Sequence, residues 1–95
     1  MRDGPKWTVS ILPSARRQLL RLRGAALDQV RRAIRQLADD PTPGDSLAMV
    51  GKARGLHRLR VGSHRVVYRI QDDELVVLVI RIGHRSDIYR GFQEW

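Results

Sequence analysis

Residues 7–11, Trp-Thr-Val-Ser-Ile, alternate apolar and polar side chains, the period-two rhythm of a strand with one buried face. Pro13 and Ser14 then open a helical pattern in which Ala15, Leu19 and Leu22 share a stripe, and Gly24 closes it. A second stripe follows at once, with Leu27, Val30, Ile34 and Leu37 at helical spacing and Arg31, Arg32 and Arg35 on the solvent side, until Asp39-Asp40-Pro41 ends it. Two short helices so closely joined predict an αα-hairpin. Residues 41–54 hold Pro43, Gly44 and Gly51 without firm periodicity and read as a loop with room for one helical turn.

The second half changes rhythm. Residues 56–61, 64–71 and 74–82 read as strands joined by turns at Gly62-Ser63 and Asp72-Asp73, which makes an antiparallel meander. The run 75–80 is apolar on both faces, as expected of a central strand covered by the helices on one side and by other residues on the other. Residues 87–93 are expected to add a short terminal turn or helix. The expected class is α+β: an N-terminal strand and an αα-hairpin packed on one face of a four-stranded, mainly antiparallel sheet, in one domain over residues 1–95.

Composition narrows the partners. Formal net charge is +8, carried by 16 arginines and 2 lysines, and such a field draws polyanions over a Debye length of about 8 to 10 Å. RNA, DNA or an acidic protein are the candidates. Cysteine is absent, so neither disulfides nor thiolate metal sites are open to the chain, which fits a reducing cytoplasm. The longest apolar run, 75–80, is far shorter than the roughly twenty residues of a membrane span, so no membrane partner is expected.

Alternation along the strands then sorts the side chains. Arg58 and Arg60 share one face of their strand, with His57, Leu59 and Val61 opposite; Arg65, Val67 and Arg69 share a face of the next, with Val66, Tyr68 and Ile70 opposite. If Val76, Leu78, Ile80 and Ile82 join the apolar side of the last strand, Arg81 and Arg85 turn to the other. Guanidinium groups thus converge on the helix-free side, and no acid occurs from Gly51 to Tyr68 to offset them. Like charges on adjacent strands repel, so this density points to an anionic ligand, and the planar two-donor fork of arginine suits phosphate. The helical arginines Arg16, Arg17, Arg31 and Arg32 read as a solvated face. No metal or other cofactor is expected, because the three histidines lie on separate strands without a carboxylate cluster.

The order of these elements, with RLRVGSHRVVYRI over residues 58–70 and IGHRSDIYR over 82–90, resembles the RelE toxins of the RelE/ParE toxin-antitoxin superfamily. The resemblance implies a metal-independent endoribonuclease that cleaves mRNA in the ribosomal A site, inhibits translation and leaves 2′,3′-cyclic phosphate and 5′-hydroxyl ends. It implies ribosome, mRNA and an acidic cognate antitoxin as partners, operator DNA only through that antitoxin, and a cytoplasmic location. By position, Arg65 resembles the arginine that holds the scissile phosphate, Arg85 the one near the leaving oxygen, and Tyr89 the tyrosine near the 2′-hydroxyl. Arg58 matches the second residue of a basic pair whose first member here is Leu56, with Arg60 two positions on. Arginine is a poor general base, which makes transition-state stabilisation the role expected of Arg58 and Arg60. Arg54, Arg69, Arg81 and His84 are expected to bind RNA around this centre. Two alternatives remain: a ParE-like toxin that poisons DNA gyrase by protein contact, and a non-catalytic RNA-binding module.

Overall fold

Proline at a first helical position has no amide hydrogen to leave unpaired, and helix α1 (Pro13–Leu20) accordingly starts one residue after strand β1 (Thr8–Ile11). The computed structural model describes residues 6–90 of the chain. Helix α2 (Gly24–Gln36) opens on the glycine expected to close α1; Gly24 takes a φ of 54°, a left-handed value that reverses the chain between the helices. The expected stripes face inward: Ala15, Leu19, Val30, Ile34 and Leu37 are all buried.

Strands β2 (Ser46–Ala48), β3 (His57–Val61), β4 (His64–Gln71) and β5 (Val76–His84) complete a sheet of order β1-β5-β4-β3-β2. β1 runs parallel to β5 and every other pairing is antiparallel. The α+β architecture is the expected one, with five strands where the sequence pattern predicts four. The added strand is β2, followed by a 3₁₀ turn at Gly51–Ala53, in the stretch read as loop. Three residues are too few to show a period. What fixes β2 is a local turn and a tertiary contact: Ser46 donates its amide and hydroxyl to the Pro43 carbonyl at 2.9 and 2.7 Å, and the strand docks on β3 with Leu47 opposite Arg58.

The last strand differs from expectation in its facing. Across β4 and β5, Val67 pairs with Arg81 but Tyr68 with Val79, so Ile80 is an extra residue, a β-bulge. The bulge shifts parity. Val77, Val79 and Ile82 join the core under the helices, while Ile80 packs on the opposite side; Val76, Leu78 and Ile80, assigned to the helix side by simple alternation, are turned away from it. Next to the bulge the Ile82 amide donates to Gln18 Oε1 of α1 at 2.7 Å.

Two cores result. The larger lies between the helices and one sheet face, with Leu59, Val66, Tyr68, Val77 and Val79 buried in it. The smaller covers the other face, where Leu56, Val67 and Ala53 meet Ile88 from the turn after β5. That turn spans residues 85–90; residues 91–93 of the expected terminal element lie outside the described residues. Among the described residues no helix is long and apolar enough to cross a membrane.

Candidate active site

Strand register sets the arginines in rows on the face away from the helices. Leu47, Arg58, Val67 and Arg81 are successive cross-strand partners from β2 to β5. In the neighbouring row Arg60 faces Arg65, and Arg65 faces Gly83. Two guanidinium side chains directly opposite one another are a destabilising pair, held there by the tight β3–β4 hairpin. Its Gly62 adopts a φ of 60°, which an L side chain rarely takes.

Arg58, Arg60 and Arg65, with Gly44, Asp45 and Leu47, line a hollow of about 290 Å³. Each of the three is held differently. Arg65 directs Nη1 to the Gly62 and His64 carbonyls at 2.9 and 2.8 Å, which ties the guanidinium to its own hairpin. Arg60 Nη2 lies 3.5 Å from Asp45 Oδ1 with both side chains about two-thirds exposed, 66% and 63%, so the pair is solvent-screened and gives way readily. Arg58 donates from Nη1 to the Tyr89 hydroxyl at 2.7 Å. Tyr89 thereby bridges from the terminal turn to the arginine row, and its ring packs on the smaller core.

Asp45 is the residue that sequence reasoning missed. The span from Gly51 to Tyr68 is free of acids, yet the fold returns a carboxylate from the α2–β2 loop to the hollow, fixed by a backbone hydrogen bond from the Arg60 amide to the Asp45 carbonyl at 3.1 Å. No local sequence signal marks it, because the contact depends on β2 docking.

The other expected site residues stand further out. Arg85 is exposed just past β5, outside the lining of the hollow; its amide donates to the Ser63 carbonyl at 2.8 Å, so its backbone abuts the hairpin that also holds Arg65. Arg81 is turned into the protein, its Nη1 donating to the Ile88 and Arg90 carbonyls at 3.0 and 2.8 Å. His84 is exposed, its Nδ1 2.8 Å from the Ser86 hydroxyl and its ring edge-on to His64 with centroids 5.8 Å apart. Arg54 is exposed after the 3₁₀ turn, and Arg69 is exposed on β4, four residues or about 13 Å along the strand from Arg65. Arg58, Arg60, Arg65 and Tyr89 are thus brought together with Asp45; Arg54, Arg69 and His84 are peripheral.

Chemically, three positive forks around a shallow hollow, two of them held by hydrogen bonds, can hold a phosphodiester and stabilise added negative charge on phosphorus. The carboxylate beside them can accept a proton, and the phenol can pack on a base. Among the described residues no group of three or more His, Asp or Glu side chains is arranged to hold a metal ion.

Comparison with known proteins bears on this arrangement. The family model for the ParE toxin of the type II toxin-antitoxin system parDE matches residues 9–89. Toxin RelG of Mycobacterium tuberculosis (strain ATCC 25618 / H37Rv) is 44% identical over 36 residues, which are 38% of this chain and only 41% of that protein. Among solved structures, the toxin-antitoxin complex RelBE2 from Mycobacterium tuberculosis superposes with a TM-score of 0.76 at 29% identity, over 86% of this chain and 100% of the other. The archaeal RelE-RelB complex from Pyrococcus horikoshii OT3 gives 0.75 at 23% identity, over 86% and 98% of the two chains, a likeness of fold alone.

Proposed function

The chain belongs to the ParE toxin family of type II toxin-antitoxin systems, within the RelE/ParE superfamily, and from that premise we propose that it is a metal-independent endoribonuclease that cuts mRNA in the ribosomal A site. The observation that carries this reading is the hollow lined by Arg58, Arg60, Arg65 and Asp45, with Tyr89 held at its border by Arg58. Three guanidinium groups converging on one hollow suit a phosphodiester, because each planar fork can donate two parallel hydrogen bonds to phosphate oxygens.

In this reading the 2′-hydroxyl oxygen attacks the adjacent phosphorus, its proton passes to the Asp45 carboxylate, and the bond from phosphorus to O5′ breaks. A 2′,3′-cyclic phosphate remains, and the departing O5′ takes a proton from solvent. Arg65 and Arg60 stabilise the phosphorane, and Arg85 offsets charge on the leaving oxygen. Tyr89 stacks on the base beside the cut. Arg54, Arg69 and His84 contact the flanking strand. The partner that silences the toxin is an antitoxin, acidic to complement a net charge of +8.

The matching family model is described by ParE, which favours a second reading, a gyrase poison acting by protein contact. Translating ribosomes, mRNA and the purified chain decide between them. Cuts within translated codons, cyclic phosphate termini and resistance of a message carrying a single 2′-deoxy substitution at the cut site are expected. Intact messages together with loss of gyrase supercoiling would assign the chain to the second class.

A further inference from the structure

Arg81 is the arginine whose surroundings differ most from the expectation of an RNA contact. Its guanidinium is half-buried on the sheet face that carries the smaller core, and Nη1 donates to two backbone carbonyls, Ile88 at 3.0 Å and Arg90 at 2.8 Å. Those carbonyls flank Tyr89. They belong to the turn over residues 85–90 that follows β5. A cation is a suitable group to satisfy them.

Residue 89 is therefore gripped from two sides. Arg81 holds the backbone before and after it, and Arg58 holds its hydroxyl at 2.7 Å. The register explains how both arginines reach it, since Arg58, Val67 and Arg81 are successive partners across three strands and the terminal turn lies over that row. Without the extra residue at Ile80, alternation from Val77 and Val79 would point residue 81 toward the helices. The bulge turns it beneath the terminal turn instead.

We propose that Arg81 is a positioning residue, a latch that acts through the turn to fix Tyr89 on Arg58 and so sets the geometry of the site without touching the RNA. This rests on the nuclease reading for its consequence in catalysis, though not for the latch itself. Two variants test it. Arg81→Met keeps the apolar stem and removes the donors; Arg81→Lys restores one charged donor group.

Hydrogen exchange of the backbone amides of residues 86–90 needs no activity. It is expected to quicken about fivefold or more for Asp87, Ile88 and Arg90 in Arg81→Met and to recover in part in Arg81→Lys, since those three amides are closed by turn bonds to the His84 and Asp87 carbonyls that the latch supports. Single-turnover cleavage at saturating RNA is expected to fall about tenfold in Arg81→Met with RNA affinity changed less than about twofold. Combination with Tyr89→Phe should add little to the slower single variant, the signature of residues acting as one unit. Unchanged exchange in Arg81→Met, or affinity lost while the saturated rate holds, would overturn the latch. If the wild-type chain cleaves no RNA, the exchange result still decides the latch while the nuclease reading falls.

Discussion

Arg60 and Arg65 face each other across β3 and β4, and a fold that tolerates this repulsion has a use for the charge. Their partners differ: Arg65 is bound to carbonyls of its own hairpin, while Arg60 meets the exposed carboxylate of Asp45. In the nuclease reading proposed above, the scissile phosphate competes with Asp45 for Arg60 and meets Arg65 already held by its hairpin. Asp45→Asn separates the two effects of that carboxylate. Removing a negative charge beside the phosphate should leave RNA binding as tight or tighter, while loss of the proton acceptor should slow single-turnover cleavage at least about tenfold, or roughly 1.4 kcal/mol of barrier. Equal cleavage by the variant would remove Asp45 from the mechanism. Arg85→Ala, measured in the same assay, is expected to lose a similar factor without loss of RNA affinity, because charge on the leaving oxygen develops only in the transition state. An unchanged rate would exclude Arg85. At this scale the sequence revealed which residues share a face, since alternation alone aligns Arg58, Arg60 and Arg65. It concealed Asp45, whose approach depends on a strand of three residues that has no pattern of its own.

At the scale of elements, the helical hairpin and the β3–β4 hairpin were legible because each carries a repeating period and its own turn residues. β2 and the bulge in β5 were not. A bulge is one inserted residue inside a continuous apolar run, and Val76 to Ile80 offers no polar position to show where parity changes. Yet the bulge decides what lies on the second face, because Ile80 and Arg81 both lie there, where strict alternation would send one of the two toward the helices. That core is small, and Ile88, 1% exposed, is its anchor from the terminal turn. Ile88→Ala should cost about 2 to 5 kcal/mol, the usual range for truncating a buried isoleucine. Because the loss falls on the element carrying Tyr89, cleavage should decline at temperatures well below the midpoint of global unfolding. Thermal melts beside activity measured over the same range test this; activity that tracks the global transition alone would mean that the turn and the sheet unfold together.

Over the whole molecule, charge and burial act at different ends of the pH scale. Sixteen of the 18 basic side chains are arginine, a residue type that keeps its charge where lysine loses it, and they outnumber the ten acidic side chains, so the chain remains cationic under alkaline conditions. A loss of stability near pH 10 therefore cannot come from discharging this surface. Tyr68 supplies a specific cause. It has 0% exposure in the larger core and donates its hydroxyl to the Pro41 carbonyl at 2.7 Å, which fastens the loop leading to β2. Burial raises its pKa above the ordinary value near 10, the neighbouring Ser46 hydroxyl opposes the rise, and the negative charge of Asp40 adds to it. As pH climbs past about 10 the unfolded chain releases this proton before the folded chain does. The folded state then binds more protons than the unfolded, so stability falls with rising pH. This contribution is fully present below pH 10 and is lost as the folded-state value is passed. Urea unfolding from pH 8 to 11 should show wild-type stability falling across that window and Tyr68→Phe changing less. At neutral pH the variant should be less stable by about 1 kcal/mol, since the Pro41 carbonyl loses its donor. The two curves should then converge as pH rises; curves that stay parallel would show that the alkaline transition starts elsewhere than in the bond tying β4 to the loop that carries Asp45.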